Sequence, residues 1–598
     1  MTADPETTPR SLTGARWREA AHDPRLAAGL VDATGMPQAV ANMLAGRGIT
    51  REDVASWLDP KLRDLMPDPS VLTDLDTAVA RLAAAVAAGE KVGIFGDYDV
   101  DGACAAALLH QALTTLGLDV SVHIPDRFSE GYGPNLPALM GLKEKGCNLI
   151  ITVDCGITAH GPVAAAVEAG IEVLIIDHHI AGPDLPRAHA VVNPNRLEDD
   201  GRLGYLAAAG VVFLVLVGLV RRLRQDGVFD TAKAEPDLMA LLDMVALATV
   251  ADVVPLIGLN RAFIRSGLKV MAGRGRPGLA ALADVSRLDA APDVHSLGFV
   301  LGPRINAGGR IGQSSLGVDL LTAPDRMTAD TIAGQLETLN IKRREIEQQV
   351  TEAAISKAEE DALQPMLLVA GENWNAGVIG ISASRLKDRF NRPAAVISID
   401  RDADGRRIGK ASARSLAPFH LGEAVIAAQQ SGLLIAGGGH GMAAGFTIDM
   451  DHFDAFRDFI NDKALAAFDG AEPVRELRYD SAIAAGHCSL DLINWLDLAG
   501  PYGSGFAEPR FRLIAVRLAG VMAMGKDKTH LRLRVEDATG RVPAVAFSVV
   551  GTDLGNAISD AADGRPVDIL GTLRRNRFNG SETVQLHLID VAPAHIPE

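Results

Sequence analysis

Residues 91–117 read KVGIFGDYDVDGACAAALLHQALTTLG: a short β-branched and aromatic run, a turn crowded with carboxylates between Gly96 and Gly102, and a long Ala/Leu-rich segment. The first part has the character of a buried strand and the last that of a helix. The pattern repeats downstream. Strand-like runs at VSVHI (120–124), NLIITV (148–153), EVLII (172–176) and AVVN (190–193) alternate with helical stretches such as GPVAAAVEAG (161–170). Strands separated by crossover helices build a parallel sheet. The spacing therefore predicts an α/β multidomain chain whose first large domain carries that sheet.

In such a sheet the carboxyl ends of the strands face one crevice. Three strands here end in acid or histidine: Asp97, Asp99 and Asp101 after the first, Asp154-Cys155-Gly156 after NLIITV, and Asp177-His178-His179 after EVLII. If the segment from Asp97 stays extended, its three carboxylates share one side. Like charges so close repel strongly unless a cation neutralises them. Asp99, Asp101, Asp154 and His178 are thus expected to meet. Carboxylates with a minority of imidazole suit Mn²⁺ or Mg²⁺, the nitrogen favouring Mn²⁺, and a shared carboxylate suits a two-metal hydrolase. A solvated turn or a calcium loop competes for one DxDG. Apolar helix formers follow it, however, and no Glu stands at EF-hand spacing.

The rest of the chain changes character by segment. Residues 1–75 predict a small helical region, with amphipathic pieces at PQAVANMLAGRGI (37–49) and REDVASWL (51–58). The sheet domain runs over 76–324. From Asp325 to about Leu363 there is no Gly or Pro after Gly334, and the charges fall in a helical pattern, so 325–364 predicts a long connecting helix. A second α/β domain follows at 365–470, with strands at MLLVA, AAVISI and AAGFTI. In 471–598, after a linker, five strand-like runs separated by Gly, Asp or Asn turns predict a small β-barrel of the OB-fold kind.

The chain has 598 residues and a net charge of −17, which excludes a protein coated in positive charge but not one with a local basic groove. From Gly505 onward Lys and Arg number 12 and Asp and Glu 11, so the acidity lies elsewhere. Aromatics are 4%, too few for a surface built mainly on ring stacking. Four scattered cysteines with no CxxC pair read as reduced thiols of a cytoplasmic protein. The N-terminus has no apolar signal core. The uncharged stretch 203–220 is borderline for a membrane span of about 20 residues, and its Ala- and Gly-rich character predicts a buried core helix, with no membrane partner. No dimer surface is legible, which leaves a monomer as the default.

GDYDVDG, DCG and DHH, followed by TVADVVPL (249–256), GPRINAGGRIG (302–312) and GGGHGMAAGF (437–446), resemble the successive motifs of the DHH phosphoesterase superfamily, the last resembling its DHHA1 substrate-binding module. With PYGSGFAEPRF (501–511) leading into a terminal barrel, the order is similar to the superfamily's bacterial exonuclease branch. That resemblance implies a DHH domain, a long helix, a DHHA1 domain and an OB-fold. It also implies a metal-dependent exonuclease that degrades single-stranded DNA 5′→3′ to 5′-mononucleotides in repair and recombination, fed by a helicase or a single-strand-binding protein.

It further implies roles by position. Asp99 would bind one ion and Asp101 the other, with Asp154 bridging and His178 and Asp252 completing the second ion's ligands. Asp97 would ligate or stand just behind, Asp177 would orient an imidazole, and His179 would face the scissile phosphate. Arg304 and Arg310, in a Gly/Pro-rich loop supported by Asn306, would grip phosphate, as arginine forks do. Arg127, Ser412 and Arg414 would hold the 5′ end, and His440 would sit in a glycine nest for an anion. Other phosphoesterases of the superfamily, acting on short RNA, pyrophosphate or cyclic dinucleotides, lack this barrel. A non-catalytic replication scaffold would tolerate loss of ligands, and none is lost here.

Overall fold

The predicted runs form β1 (Lys91–Gly96), β2 (Asp119–His123), β3 (Leu149–Val153), β4 (Glu172–Ile176) and β5 (Ala190–Val192) in a computed structural model that describes residues 10–127, 129–230, 233–360, 364–578 and 580–594. All their pairings are parallel, in the spatial order β2-β1-β3-β4-β5. That order changes direction between β1 and β3, the place where open α/β sheets bind ligands. Asp97 follows β1 and Asp154 follows β3.

Helix α1 (Val100–Thr115) starts sooner than an extended reading of Asp97–Asp101 allows. Asp99 caps it, its Oδ1 accepting the Gly102 amide at 3.0 Å, and Asp101 already lies in the first helical turn. The three acids therefore do not share one side of a strand. The apolar run at 203–220 supplies most of α2 (Ala208–Gln225), buried along most of its length in the core it shares with α1 and α3 (Leu242–Ala251). Each fully buried Leu, Val or Phe stabilises such a core by about 1.5–3 kcal/mol. Among the described residues no helix is long and apolar enough to cross a membrane.

The GPRINAGGR segment is helical rather than a loop: it forms α4 (Gly302–Ile311), entered from a π-helical turn at Ser296–Leu301. Its glycines serve close packing. A Cβ on Gly309 would stand 2.6 Å from the carbonyl oxygen of Tyr98, so the helix lies directly on the acidic turn after β1. The expected long helix is α5 (Arg326–Glu360); residues 361–363 lie outside the described residues.

Beyond it, β6 (Leu367–Glu372), β7 (Ala394–Arg401), β8 (Arg407–Arg414), β9 (Ala436–His440) and β10 (Ala443–Asp449) form a mixed sheet in the order β9-β10-β8-β7-β6. Helix α6 (Ile379–Phe390) packs on β7 and β8. The glycine run is edge strand β9, not a nest. Successive N–H groups of a strand point to opposite sides, so they do not converge on one anion.

By contacts the chain divides into two compact units. One is Pro60–Ala467 with Tyr502–Phe506; the other takes in the chain up to Asp59, Phe468–Pro501 and the chain from Ala507. In the second, β11 (Phe511–Met524), β12 (His530–Asp537), β13 (Gly540–Ala546), β14 (Val567–Phe578) and β15 (Ser581–Pro593) pair in the ring β11-β12-β13-β15-β14-β11. This is a closed five-stranded barrel with the connectivity of an OB-fold. The N-terminal segment is not purely helical: Arg16–Glu19 pairs in parallel with Glu476–Tyr479. Trp17 packs with Leu477, Tyr479 and Leu570 and donates its indole N–H to Asp590 at 2.8 Å, which ties this segment to the barrel rather than to the β1 sheet. Residues 1–9 lie outside the described residues.

Candidate metal centre and phosphate grip

Where β1, β3 and β4 end, the side chains fall into two adjoining groups. Asp97, Asp99 and Asp154 place ligand atoms within 4.8 Å of one another, so do Asp101, His178 and Asp252, and the set Asp154, His178 and His179 overlaps both. The helical turn at Val100 causes this split, because it sends Asp101 to the far side of the acidic segment. Asp154 stands between the groups. Its backbone is in the left-handed region, φ 60°, which Asp tolerates better than most residues, and its Oδ1 lies 3.3 Å from His178 Nε2. The same Nε2 is 3.6 Å from Asp252 and 3.9 Å from Asp101.

The buried Asp101 accepts backbone amides from Ala208 (2.6 Å) and Ala209 (2.8 Å) at the start of α2. Those bonds fix its orientation and favour its charged form. Asp252 caps the C-terminus of α3. His178 donates from Nδ1 to the carbonyl of Leu206 at 3.1 Å, so its Nε2 lone pair faces the carboxylates. Asp177 stands behind the histidines. Its Oδ1 accepts the backbone amides of His178 and His179 and the ring Nδ1–H of His179 at 2.7 Å, and its Oδ2 accepts the amide of Ile157.

The electrostatics follow from this crowding. Burial, then neighbouring carboxylates, push Asp101 and Asp154 well above the usual carboxylate range. Burial and the charge of Asp99 push Asp97 and Asp252 up to about 7. Burial lowers His178. For His179 burial acts downward, but its hydrogen bond and charge contact with Asp177 outweigh it and raise the ring to about 9. Burial would raise Asp177, yet the hydrogen bonds it accepts hold it below the ordinary value.

Three buried atoms in this pocket, Asp97 Oδ1, Asp154 Oδ1 and His178 Nε2, have no hydrogen-bond partner. Buried polar atoms without partners are rare, and three together suit a shared ligand. The donor set, carboxylate oxygens with one imidazole, fits Mn²⁺ or Mg²⁺.

Positive charge adjoins the first group. The guanidinium of Arg127 lies over the Tyr98 ring, 5.3 Å from its centroid. Arg310, on α4, is half-buried and held down to about 10 by desolvation and by the charges of Arg127 and Arg343; it donates to the Gly377 carbonyl at 2.7 Å. Gly377 leads into α6, where a Cβ on Gly380 would stand 2.9 Å from Ser412 Oγ and 3.2 Å from Arg414 Nη2. Among the described residues Arg414 has no carboxylate partner, and its guanidinium bonds only Ser412 Oγ and the Ala413 carbonyl. In the sheet register His440, Ala443 and Arg414 oppose one another across β9, β10 and β8. His440 therefore shares a face with Arg414 about 10 Å away, two strand spacings, with Ser412 on the same face.

Two residues do not fit the expected phosphate grip. Arg304 is occupied: it pairs with Glu337 of α5 (Nε–Oε2 2.5 Å, Nη2–Oε1 3.3 Å) and donates to the Val300 carbonyl. Because α4 is a helix and not a loop, Arg304 points at the long helix and braces it. Asn306 is half-buried on α4, and the described contacts bring it to neither group. One residue escaped the sequence reading. Tyr132 places its hydroxyl 3.4 Å from His179 Nδ1 and 3.5 Å from the Asp154 carbonyl, and burial raises it above an ordinary phenol. An aromatic between two glycines, six residues past Asp126, was the available signal.

Comparison with known proteins agrees with this fold. The DHH family N-terminal domain matches residues 91–249, the DHHA1 domain 363–465 and the RecJ OB domain 479–590. The single-stranded-DNA-specific exonuclease RecJ of Dickeya dadantii is 38% identical over 92% of this chain and 95% of its own length; the Escherichia coli protein of that name is 34% identical over 93% and 96%. A crystal structure of RecJ in complex with Mn²⁺ from Thermus thermophilus superposes with a TM-score of 0.80 at 29% identity, covering 98% of this chain and 80% of that one. A likeness that runs from the acidic turn to the barrel, in both sequence and fold, means that this chain belongs to the RecJ family.

Proposed function

We propose that the protein is a single-stranded-DNA-specific exonuclease that cleaves phosphodiester bonds from the 5′ end and releases 5′-mononucleotides, acting in DNA repair and recombination in the cytoplasm. The observation that carries this reading is His178 Nε2, buried without a hydrogen-bond partner among Asp101, Asp154 and Asp252. Asp97, Asp99 and Asp154 would hold one divalent cation and Asp101, His178 and Asp252 a second, with Asp154 shared. Two such ions, when bound, lower the pKa of water and neutralise charge on the phosphoryl oxygens.

The chain's own residues do the rest. His179, kept protonated by Asp177, offers its outer N–H to an oxygen of the scissile phosphate, a preorganised donor of the kind that stabilises developing charge. Arg127 and Arg310 hold the phosphate against the carboxylate cluster. Ser412, Arg414 and His440 receive the 5′-terminal phosphate beside the N-terminal end of α6, where backbone amides and helix dipole favour an anion. The β-barrel binds the strand through its backbone with modest stacking. A helicase or single-strand-binding protein supplies that strand.

The test is a substrate panel: 5′-labelled single-stranded DNA, the matching duplex, RNA, pyrophosphate and a cyclic dinucleotide, each with Mn²⁺, with Mg²⁺ and with chelator. Metal-dependent release of mononucleotides from single-stranded DNA, abolished in Asp154→Ala, is expected. Undiminished activity in Asp154→Ala, or a preference for pyrophosphate or the cyclic dinucleotide, overturns the reading.

A further inference from the structure

We infer that the segment Tyr502–Phe506, some 250 residues beyond Asp252 in sequence, is a clasp that positions Asp252 in the second cation group. The inference rests on the two-cation reading above. It starts from the residue after Asp252. Val253 has φ 61°, a left-handed conformation that is a genuine outlier for a β-branched side chain, and its side chain is largely exposed. Such strain persists only where the surroundings over-determine the backbone. Packing of the Val253 side chain does not supply that restraint, so it has to come from the chain on either side.

Upstream, α3 ends normally, with the Asp252 amide bonded to the Ala248 carbonyl. Downstream, the loop is pinned by the clasp. The Leu256 amide donates to the Ser504 carbonyl at 2.8 Å, and the clasp is itself a closed turn, Gly503 and Phe506 exchanging backbone hydrogen bonds of 2.9 and 3.2 Å. Its two glycines let the backbone lie directly on the loop. A Cβ on Gly503 would stand 2.6 Å from Leu256, and one on Gly505 2.9 Å from Pro255. The Phe506 ring lies under the Arg261 guanidinium, 5.3 Å from its centroid, and stacks on Tyr502. Backbone groups at the start of α2 and just before it fix two other cation ligands: Asp101 is held by α2 amides and His178 by the Leu206 carbonyl. Asp252 depends instead on a strained loop, which the clasp restrains together with the Asn260 side-chain amide, a donor to the Pro255 carbonyl at 2.9 Å.

Gly505 also has φ 68°, so Gly505→Ala adds both a forbidden conformation and a contact with Pro255. The measurement is Mn²⁺ binding to the full-length protein without DNA, by calorimetry and by manganese paramagnetic resonance. Gly432→Ala serves as control, a left-handed glycine with open space around it. Wild type and Gly432→Ala should bind two ions alike, whereas Gly505→Ala should hold one of them roughly tenfold or more weakly, the size of effect seen when groups behind metal ligands are lost. Val253→Gly, which removes the strain the clasp holds, should restore most of that affinity in the double variant. Phe506→Leu, a milder change, should shift affinity in the same direction and keeps the test open if Gly505→Ala does not fold. Unchanged affinity in folded Gly505→Ala, or a loss that Val253→Gly leaves untouched, overturns the clasp alone. A wild-type protein that binds no Mn²⁺ overturns the two-cation reading as well.

Discussion

The ring of His178 is set by the carbonyl of Leu206: its Nδ1–H is taken at 3.1 Å, which leaves Nε2 as a bare lone pair among three carboxylates. A backbone acceptor thus determines which nitrogen is available for a cation, the usual way a metal-facing imidazole is oriented. His178→Gln should therefore fold, since the buried site loses only one ring, yet lose one of two bound Mn²⁺ ions and at least about 10–100-fold in activity. Counting bound manganese per chain checks this, and two tightly held ions in the variant would be the contrary result.

Asp97 and Asp252 sit near 7 without cations, and Asp101 and Asp154 well above the carboxylate range. Cation binding must displace those protons. Affinity for Mn²⁺ should therefore rise with pH through the range of about 6 to 8, and calorimetry in buffers of different ionisation enthalpy should show net proton release. The linkage to stability has the opposite sign. Carboxylates raised in the folded state bind protons that the unfolded chain has already lost, so the cation-free protein loses stability as pH rises from about 4 through 7. Melting the protein with chelator at pH 5 and pH 8, then with Mn²⁺ at pH 8, tests both halves.

His179 owes its raised pKa to Asp177, which overcomes the effect of burial. In the cation-free protein, titration of the His179 ring by NMR should give a midpoint near 9. In Asp177→Asn the midpoint should fall toward the unperturbed value of about 6.5 or below. An unshifted midpoint would mean that another group carries the proton's stabilisation.

Much of this is legible in the sequence. Alternating apolar runs and helices specify the parallel sheet, and acids at the ends of β1, β3 and β4 specify where its chemistry lies, because topology alone brings strand ends together. The failures have a common cause. Glycine reads as a mark of loop at 302–312 and of a nest at 437–440, whereas at Gly309 it permits a helix to touch Tyr98, and in β9 it sits in an edge strand. Asp97, Asp99 and Asp101 read as one extended face because nothing in their spacing shows that a helix begins at Val100. The Leu206 carbonyl and the Ala208 and Ala209 amides are out of reach, since backbone groups carry no sequence signature.

Arg304 is engaged by the protein itself rather than left open to a ligand. Its guanidinium is paired with Glu337 and Val300, so Arg304→Ala should lower stability by about 1–3 kcal/mol through the stranded partner. The variant should bind a 5′-phosphorylated oligonucleotide normally once folded. Selective loss of phosphorylated ends in Arg304→Ala would return it to the grip.

Arg414 is the reverse case. Burial lowers its pKa, and among the described residues no carboxylate compensates its charge, while Ser412 and His440 share its sheet face. A guanidinium in that position is short of an anion, and a terminal phosphate has the geometry to supply two oxygens to its fork. Removing Arg414 relieves an uncompensated, half-buried charge, so Arg414→Ala should melt no lower than wild type. It should nevertheless weaken binding of a 5′-phosphorylated single strand by about 1.5–3 kcal/mol, the worth of a hydrogen bond to a charged group, and leave a 5′-hydroxyl strand nearly unaffected. Measuring both ends on both proteins gives a coupling energy for the terminal phosphate and Arg414. A coupling near zero would place the 5′ phosphate elsewhere on the protein and leave the isolated charge of Arg414 without a ligand.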